Sequence, residues 1–449
     1  MDNRQRRLTS AILAGASTVI LASALVLAAP PAAHDNIISL SDDGMWATLK
    51  RVPDAQEQAE PWVRPIFFQP VMLDRQVLTA ALSDAPMEFT PEGVARPTRI
   101  DLPMPDGTFA TFEIVESPVM EPALAAQFPE IKTYAGQGIT DPAATVRLDW
   151  TPQGFHAQVL SPEGSYYIDP YTKGDTTFYS SYYRHDLRME GADGWTCSLF
   201  PDAIGEQPRI QRRTDEQLPT STNASGTFLQ TYRTAVAATV EYTAFHGGTV
   251  PAGQAAIVTA INRVTGVYER ECSIRLSLVA ANSSLVYTTE PDPYTNNNGG
   301  TMLGQNQSNL NAVVGSGNYD IGHVFSTGGG GIAGLGVVCT ASKANGVTGL
   351  PSPTGDAFYI DYVAHEMGHQ FGANHSFNST ASSCNGNRSS GSAYEPGSGS
   401  TIMSYAGICG TSNIQNFSND YFIHKSYDDI VSFTNGTGGC PTNVANGNT

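Results

Sequence analysis

At 449 residues the chain is too long for one small domain and points to two or three. Its formal charge of −18 gives an acidic surface that repels nucleic acid and anionic lipid, which excludes both as expected partners. Six cysteines behind an export signal point to disulfides rather than to redox catalysis.

Arg4, Arg6 and Arg7 precede an apolar stretch from Ala11 to Ala29, and small residues suited to signal peptidase follow near Ala28 to Ala33. Residues 1–29 therefore read as a signal peptide, with a secreted, extracellular or periplasmic destination. An uncleaved anchor is the alternative, because the stretch is almost long enough to span a bilayer. No cysteine follows it to carry a lipid, no later segment is apolar enough to cross a membrane, and no stable membrane association is expected once the signal is removed.

Residues 34–213 carry the marks of a β-rich unit. Val146, Leu148 and Trp150 alternate, Pro152-Gln153-Gly154 turns, Phe155, Ala157 and Val159 alternate again, and Pro162-Glu163-Gly164 turns before Tyr166: a meander. Asp106-Gly107 before Phe112 and Ile114 predicts a further hairpin. The unit ends in Arg209-Ile210-Gln211-Arg212-Arg213 and a polar run to Gly226, which reads as an exposed, cleavable linker.

From Thr227 the pattern is mixed. A strand is expected over Thr234–Tyr242 and a helix over Gln254–Arg270, where Ile257, Ile261, Val264 and Tyr268 recur at helical spacing; Cys272, Ile274, Leu276 and Leu278 then alternate as a strand. Asp292 to Asn298 is oxygen-rich, a conceivable Ca²⁺ site beside the plainer reading of an exposed loop. Tyr319–Phe325 is a third strand, with His323 as a satisfied strand histidine. The glycines Gly328–Gly331 lack the Gly-Lys-Ser/Thr of a phosphate loop and read as a flexible hairpin. Leu335–Cys339 is the next expected strand, Asp356–Phe371 a helix, the Cys384–Tyr405 stretch irregular, and Tyr421–Phe433 a closing helix.

The chemistry concentrates in His365-Glu366-Met367-Gly368-His369-Gln370-Phe371-Gly372-Ala373-Asn374-His375, which reads H-E-x-x-H-x-x-G-x-x-H. Residues four apart share a helix face, so His365 and His369 can address one metal ion. Gly372 tolerates the left-handed turn that follows a helix end and lets His375 supply a third nitrogen. Three neutral imidazoles leave tetrahedral Zn²⁺ one open position, as in a catalytic site. Glu366 is then the general base acting on metal-bound water.

Ser400-Thr401-Ile402-Met403-Ser404-Tyr405 places a methionine shortly downstream, and the pair of features resembles the metzincin zinc endopeptidases, in which that methionine lies in a turn beneath the metal. Tyr405 matches the place where some metzincins hold a tyrosine near zinc; a buried structural tyrosine is the other reading. Tyr319-Asp320-x-Gly322-His323, Gly334-Leu335-Gly336-x-x-Cys339 and Tyr394-Glu395-Pro396-Gly397-Ser398-Gly399-Ser400-Thr401-Ile402-Met403 look closest to the bacterial branch of the reprolysin-like metzincins. One departure is Ser376, where animal reprolysins place Asp after the third histidine and matrixins place Ser.

The resemblance implies an α/β (α+β) metzincin catalytic domain over 214–440, with a twisted mixed sheet, an active-site helix and a small irregular C-terminal lobe. It is preceded by a β-rich propeptide over 34–213 and followed by a tail, 441–449. A separate binding domain is the alternative for the first unit. The implied protein is a monomeric, secreted, Zn²⁺-dependent endopeptidase made as a latent precursor, whose protein or peptide substrate lies along an edge strand Gly334–Cys339. Glu366 and Tyr405 are its catalytic residues, His365, His369 and His375 its metal ligands, and Met403 and Gly372 their supports. Two other classes compete: an inactive zinc-containing adhesion module, against which the intact Glu366 argues, and a toxin-like protease of narrow specificity. The resemblance also implies disulfides Cys339–Cys440 and Cys384–Cys409. Cys272, alternating with apolar residues, reads as a buried thiol. Cys197 has three readings: a latency ligand to the metal, a disulfide with Cys272, or a free thiol.

Overall fold

Alternating apolar residues build the first sheet. Ten antiparallel strands are joined in it, from Ile37–Leu40 at one edge to Thr98–Pro103 at the other. The expected meander is there as Thr145–Thr151, Gly154–Leu160 and Tyr166–Pro170. The expected hairpin pairs Thr98–Pro103 with Phe109–Glu116, and Gly107 takes a φ of +87° in its turn, which a residue without Cβ adopts at little cost. Buried Trp46 meets Phe155 and Tyr179 edge-on, at centroid distances of 5.3 and 5.4 Å. This computed structural model describes residues 36–187, 197–200 and 227–445, the strand Cys197–Phe200 by its backbone alone. The expected signal peptide and the expected linker lie outside the described residues. Among them, no helix is long and apolar enough to cross a membrane.

The second sheet runs in space Cys197–Phe200, Gly331–Gly334, Gly346–Gly349, Ile321–Ser326, Phe228–Ala238, Ile274–Leu278. Neighbours are parallel except Gly331–Gly334 against Gly346–Gly349, and Thr442–Ala445 adds antiparallel to the start of Phe228–Ala238. The sheet is therefore mixed, as expected.

Several elements differ from the sequence reading. The strand expected at Thr234–Tyr242 is Phe228–Ala238; it stops because the Thr239 hydroxyl accepts from the Tyr242 N–H and starts a short helix, Val240–Phe245. Cys272 ends the helix Val250–Cys272 instead of opening the next strand, with Ser273 left-handed at φ 53° between them. Leu335–Cys339 is not a strand. Gly336 and Cys339 have φ of +62° and +66°, and the segment wraps the end of the active-site helix, where Gly336 and Val337 N–H groups donate to the His369 and Gln370 carbonyls at 2.9 and 3.0 Å. Among the strands of residues 227–445 the edge strand is Gly331–Gly334, with Cys197–Phe200 added outside it, so the glycine run is no hairpin: its last residue begins a strand that pairs with Gly346–Gly349. A helix at Gly299–Val313 has no counterpart in the sequence reading, because Gln305, Asn306, Gln307, Asn309 and Asn311 interrupt the apolar spacing of Met302, Leu303 and Leu310.

The helix Val250–Cys272 is the centre of the molecule. Every residue from Gly253 to Tyr268 is buried, including Gln254, Asn262 and Arg263. One face packs on the second sheet through Ile257, Ile261 and Val264; on the other, Asn262 Nδ2 donates to the Leu148 carbonyl (3.0 Å), Thr259 Oγ1 to Asp149 (2.8 Å) and Arg263 to Asp169 (2.6 Å) of the first sheet. Val119, Met120, Leu124, Phe128, Ile131 and Leu160 belong to the same apolar core as Tyr242, Ile257, Leu276 and Leu278. Burial of each such side chain contributes about 1.5–3 kcal/mol relative to exposure. Cys339 and Cys440 are bonded, as are Cys384 and Cys409, the pairings implied above, with Cα separations of 5.9 and 5.3 Å.

Candidate metal centre and active site

The active-site helix is assembled from Asp356–Phe358, a π-helical stretch Tyr359–Ala364, and His365–Gln370. Such wide turns are frequent at functional sites, and this one delivers directly into His365. Gly372, at φ +95°, then reverses the chain as expected, with its N–H on the His369 carbonyl (2.8 Å).

His365 and His375 bring their Nε2 atoms to 3.1 and 3.0 Å from that of His369. Behind them, the three Nδ1 atoms lie 2.7 Å from the carbonyl oxygens of Ile402, Ala373 and Asn387. A carbonyl accepts only, so each Nδ1 carries the proton and each Nε2 presents a lone pair to the common centre. Burial favours the neutral rings: it pulls His365 down to about 4 and holds His369 and His375 well below the usual range. Tetrahedral zinc, about 2.0–2.1 Å from each nitrogen, requires them about 3.3 Å apart, so this donor set fits that ion.

Glu366 is fully buried, and the edge strand passes directly over it: a Cβ on Gly331 would lie 2.1 Å from Glu366 Oε1. Met403 lies under the same helix, where a Cβ on Gly368 would come within 2.4 Å of its Sδ. The turn carrying Met403 closes with the Ser404 N–H on the Thr401 carbonyl (2.9 Å), while the Met403 carbonyl accepts from the Ser376 N–H (3.0 Å). Tyr405 is buried with its ring 4.6 Å from that of His375 and 4.4 Å from that of Phe377.

Glu395 was quoted in the motif but given no role. It is buried, and it accepts from the Ser400 and Thr401 N–H groups (2.8 and 3.0 Å), from Thr401 Oγ1 (2.7 Å) and from the Ser376 hydroxyl. It thereby ties the residue after the third histidine to the methionine turn. The signal for it was its isolation, since it is the one acidic residue between Glu366 and Asp420. Gly331 and Gly368 left no signal, because only the fold reveals what a side chain there would meet.

His323 is satisfied, with Nδ1 2.9 Å from Gln370 Oε1 and Nε2 2.8 Å from Thr348 Oγ1. The calcium reading of 292–298 is not supported. Its side chains hold the loop itself: Asp292 accepts from the Val240 and Tyr294 N–H groups (both 2.8 Å), and Asn298 caps Gly299–Val313. Cys272 is a buried free thiol beside one edge strand of the second sheet, and Cys197 lies on the strand at the opposite edge, which overturns a bond between them.

Residues 229–432 match the family model described as Metallo-peptidase family M12B Reprolysin-like. This segment is similar to the reprolysin-like metallopeptidases. The resemblance drawn from the histidine motif and the methionine turn is thus borne out over the stretch that holds both. No curated protein matches the chain. Among solved structures, the chain is similar to metalloproteinase-II from Bacteroides fragilis, at 11% identity and a TM-score of 0.41, over 80% of this chain and 96% of that one. It also matches a chain described as a chaperone-substrate complex, at 14% identity and a TM-score of 0.18, over 27% of this chain and 88% of that one. The matched segment contains the three candidate histidine ligands and Glu366, and it leaves Cys197 and the ten-stranded sheet outside the match.

Proposed function

We propose that the chain is a secreted, zinc-dependent endopeptidase made as a latent precursor. The observation that carries this reading is the convergence of three Nε2 lone pairs beside a buried carboxylate that lies under a sheet edge. His365, His369 and His375 would hold the ion. Bound there, zinc supplies a Lewis acid and lowers the pKa of a bound water towards ~7. Glu366 would serve as the general base, taking a proton from the attacking water and passing it to the leaving amine. The Gly331–Gly334 edge aligns an extended peptide by backbone hydrogen bonds, and Tyr405 donates to the developing oxyanion. Met403 and Gly372 keep the ligands in register.

Latency is supported by the strand Cys197–Phe200, which pairs in parallel with Gly331–Gly334 and so occupies the edge a substrate needs. Cys197 stands opposite Gly331, the residue over Glu366, which makes it the candidate latency ligand. Cutting in the 201–226 segment would free this strand.

The test is peptide-library cleavage by the linker-cut chain, with and without a chelator, read by mass spectrometry. Cleavage that chelator abolishes and zinc restores is expected. Cleavage indifferent to chelator, or none from a zinc-loaded cut chain, overturns the reading. Premature activity of Cys197→Ser with the chain uncut would support the latency ligand; an unchanged latent precursor would remove it.

A further inference from the structure

The sheet containing the reprolysin-like strands has two edges, and the N-terminal half covers both by different means. At the Gly331–Gly334 edge the cover is the short strand Cys197–Phe200. At the Ile274–Leu278 edge it is Val119–Glu121: the Leu278 N–H donates to the Val119 carbonyl, the Glu121 N–H donates to the Leu278 carbonyl, both at 2.8 Å, and the Glu121 carboxylate accepts from the Ala280 N–H at 2.8 Å.

We infer that the N-terminal half, residues 36–187, is a permanent subunit: once the connecting segment is cut it stays bound to 227–445, and only the strand Cys197–Phe200 leaves its edge. The second cover is continuous with an apolar core, since Val119, Met120, Leu124, Phe128 and Ile131 are buried among Tyr242, Ile257, Leu276 and Leu278. A shared core of this kind is the mark of an obligate interface, which resembles a single domain core divided between two partners. Three buried ionic groups close the same boundary. Arg263 bridges Asp169 of the first half and Asp356 at the start of the active-site helix. Arg184 reaches Asp361 (3.0 Å) and Asp420 (3.3 Å), with the Tyr167 hydroxyl also on Asp420 (2.6 Å). Arg147 and Glu88 of the first half meet Glu269 and Arg275 of the second. Removing one partner from such a pair strands a buried charge, so separation is opposed at each point.

A retained half also alters the site. A cavity of about 500 Å³ beside Tyr405 is walled by Leu350, Tyr362 and Ile408 on one side and by Trp62 and Val63 on the other. The N-terminal half therefore stays as part of the surface that a peptide meets.

The experiment uses the full chain. Limited trypsin digestion at Arg209, Arg212 or Arg213 gives two fragments, which are run on size exclusion in low salt and in about 1 M salt, where exposed ion pairs are screened. Co-migration of both fragments at the mass of the uncut chain is expected in both buffers; their separation in either native buffer overturns the proposal. Hydrogen exchange before and after the cut provides the second readout. Peptides over Ile274–Ala280 should keep their protection while those over Gly331–Gly334 lose it. Equal loss at both edges would overturn the division of roles. The functional consequence rests on the peptidase reading, but neither measurement uses hydrolysis, so the two ideas fail separately.

Discussion

Gly331 leaves no room for a side chain over Glu366: a methyl carbon there would fall 2.1 Å from the carboxylate oxygen Oε1. Either the edge strand or the carboxylate must move to accept one. A misplacement of about 1 Å in a catalytic group can cost 10²-fold. Gly331→Ala should therefore lower kcat by about 10² with the zinc content of the chain unchanged. An unaltered kcat would separate Glu366 from the edge strand in function.

Glu366→Gln removes the proton acceptor and keeps all three nitrogen ligands. About one zinc per chain should be retained while turnover drops by several orders of magnitude. His369→Ala behaves differently, because its Nε2 is the one nearest both others, and it should lose metal together with activity. Metal analysis beside the kinetics distinguishes the two, and near-normal turnover of zinc-loaded Glu366→Gln would end the proposed mechanism.

Tyr405→Phe deletes a hydroxyl and keeps the ring against His375 and Phe377. If that hydroxyl serves the oxyanion, kcat falls roughly 10² with KM little changed. A variant with unchanged kcat would assign Tyr405 to packing.

Met403→Leu preserves volume and should cost under about 1.5 kcal/mol with zinc retained. Gly368→Ala drives a carbon into the same sulfur and should cost about 1–3 kcal/mol. Glu395→Ala leaves two N–H donors and three hydroxyls unanswered and should weaken zinc retention against a chelator as well as lower Tm; Glu395→Gln keeps one carbonyl for the N–H groups and should be milder. Chelator competition that ranks Gln no better than Ala would count against the carboxylate as an organiser of the turn.

Burial pushes the Cys272 thiol well above its usual range. The folded chain holds this proton after the unfolded chain has lost it. The thiol's contribution is therefore full below about 8.5 and shrinks by about 1.4 kcal/mol per pH unit above it. Denaturation between about pH 8.5 and 10 should show this slope in the wild type and lack it in Cys272→Ala. Iodoacetamide at pH 8 should leave Cys272 unlabelled in the folded chain.

What the sequence disclosed follows from how local each signal is. The helix carrying His365 and His369, the reversal at Gly372 and the meander from Val146 to Tyr166 are written in short-range spacing, and they are where the chain placed them. Leu335–Cys339 misled because an apolar run looks the same whether it extends or wraps a helix end; the positive φ of Gly336 and Cys339 decides, and it depends on the carbonyls of His369 and Gln370. The polar face of Val250–Cys272 was equally opaque. Arg263 and Asn262 are buried there because strands more than 90 residues away supply Asp169 and Leu148.

The Nδ1 atoms of the three histidines are each held by a peptide carbonyl, at Ile402, Ala373 and Asn387. Ring orientation at the metal is thus encoded in the path of the main chain. A one-residue insertion or deletion in the loop carrying Ala373 or Asn387 would turn an imidazole away. The centre is intolerant of changes in length.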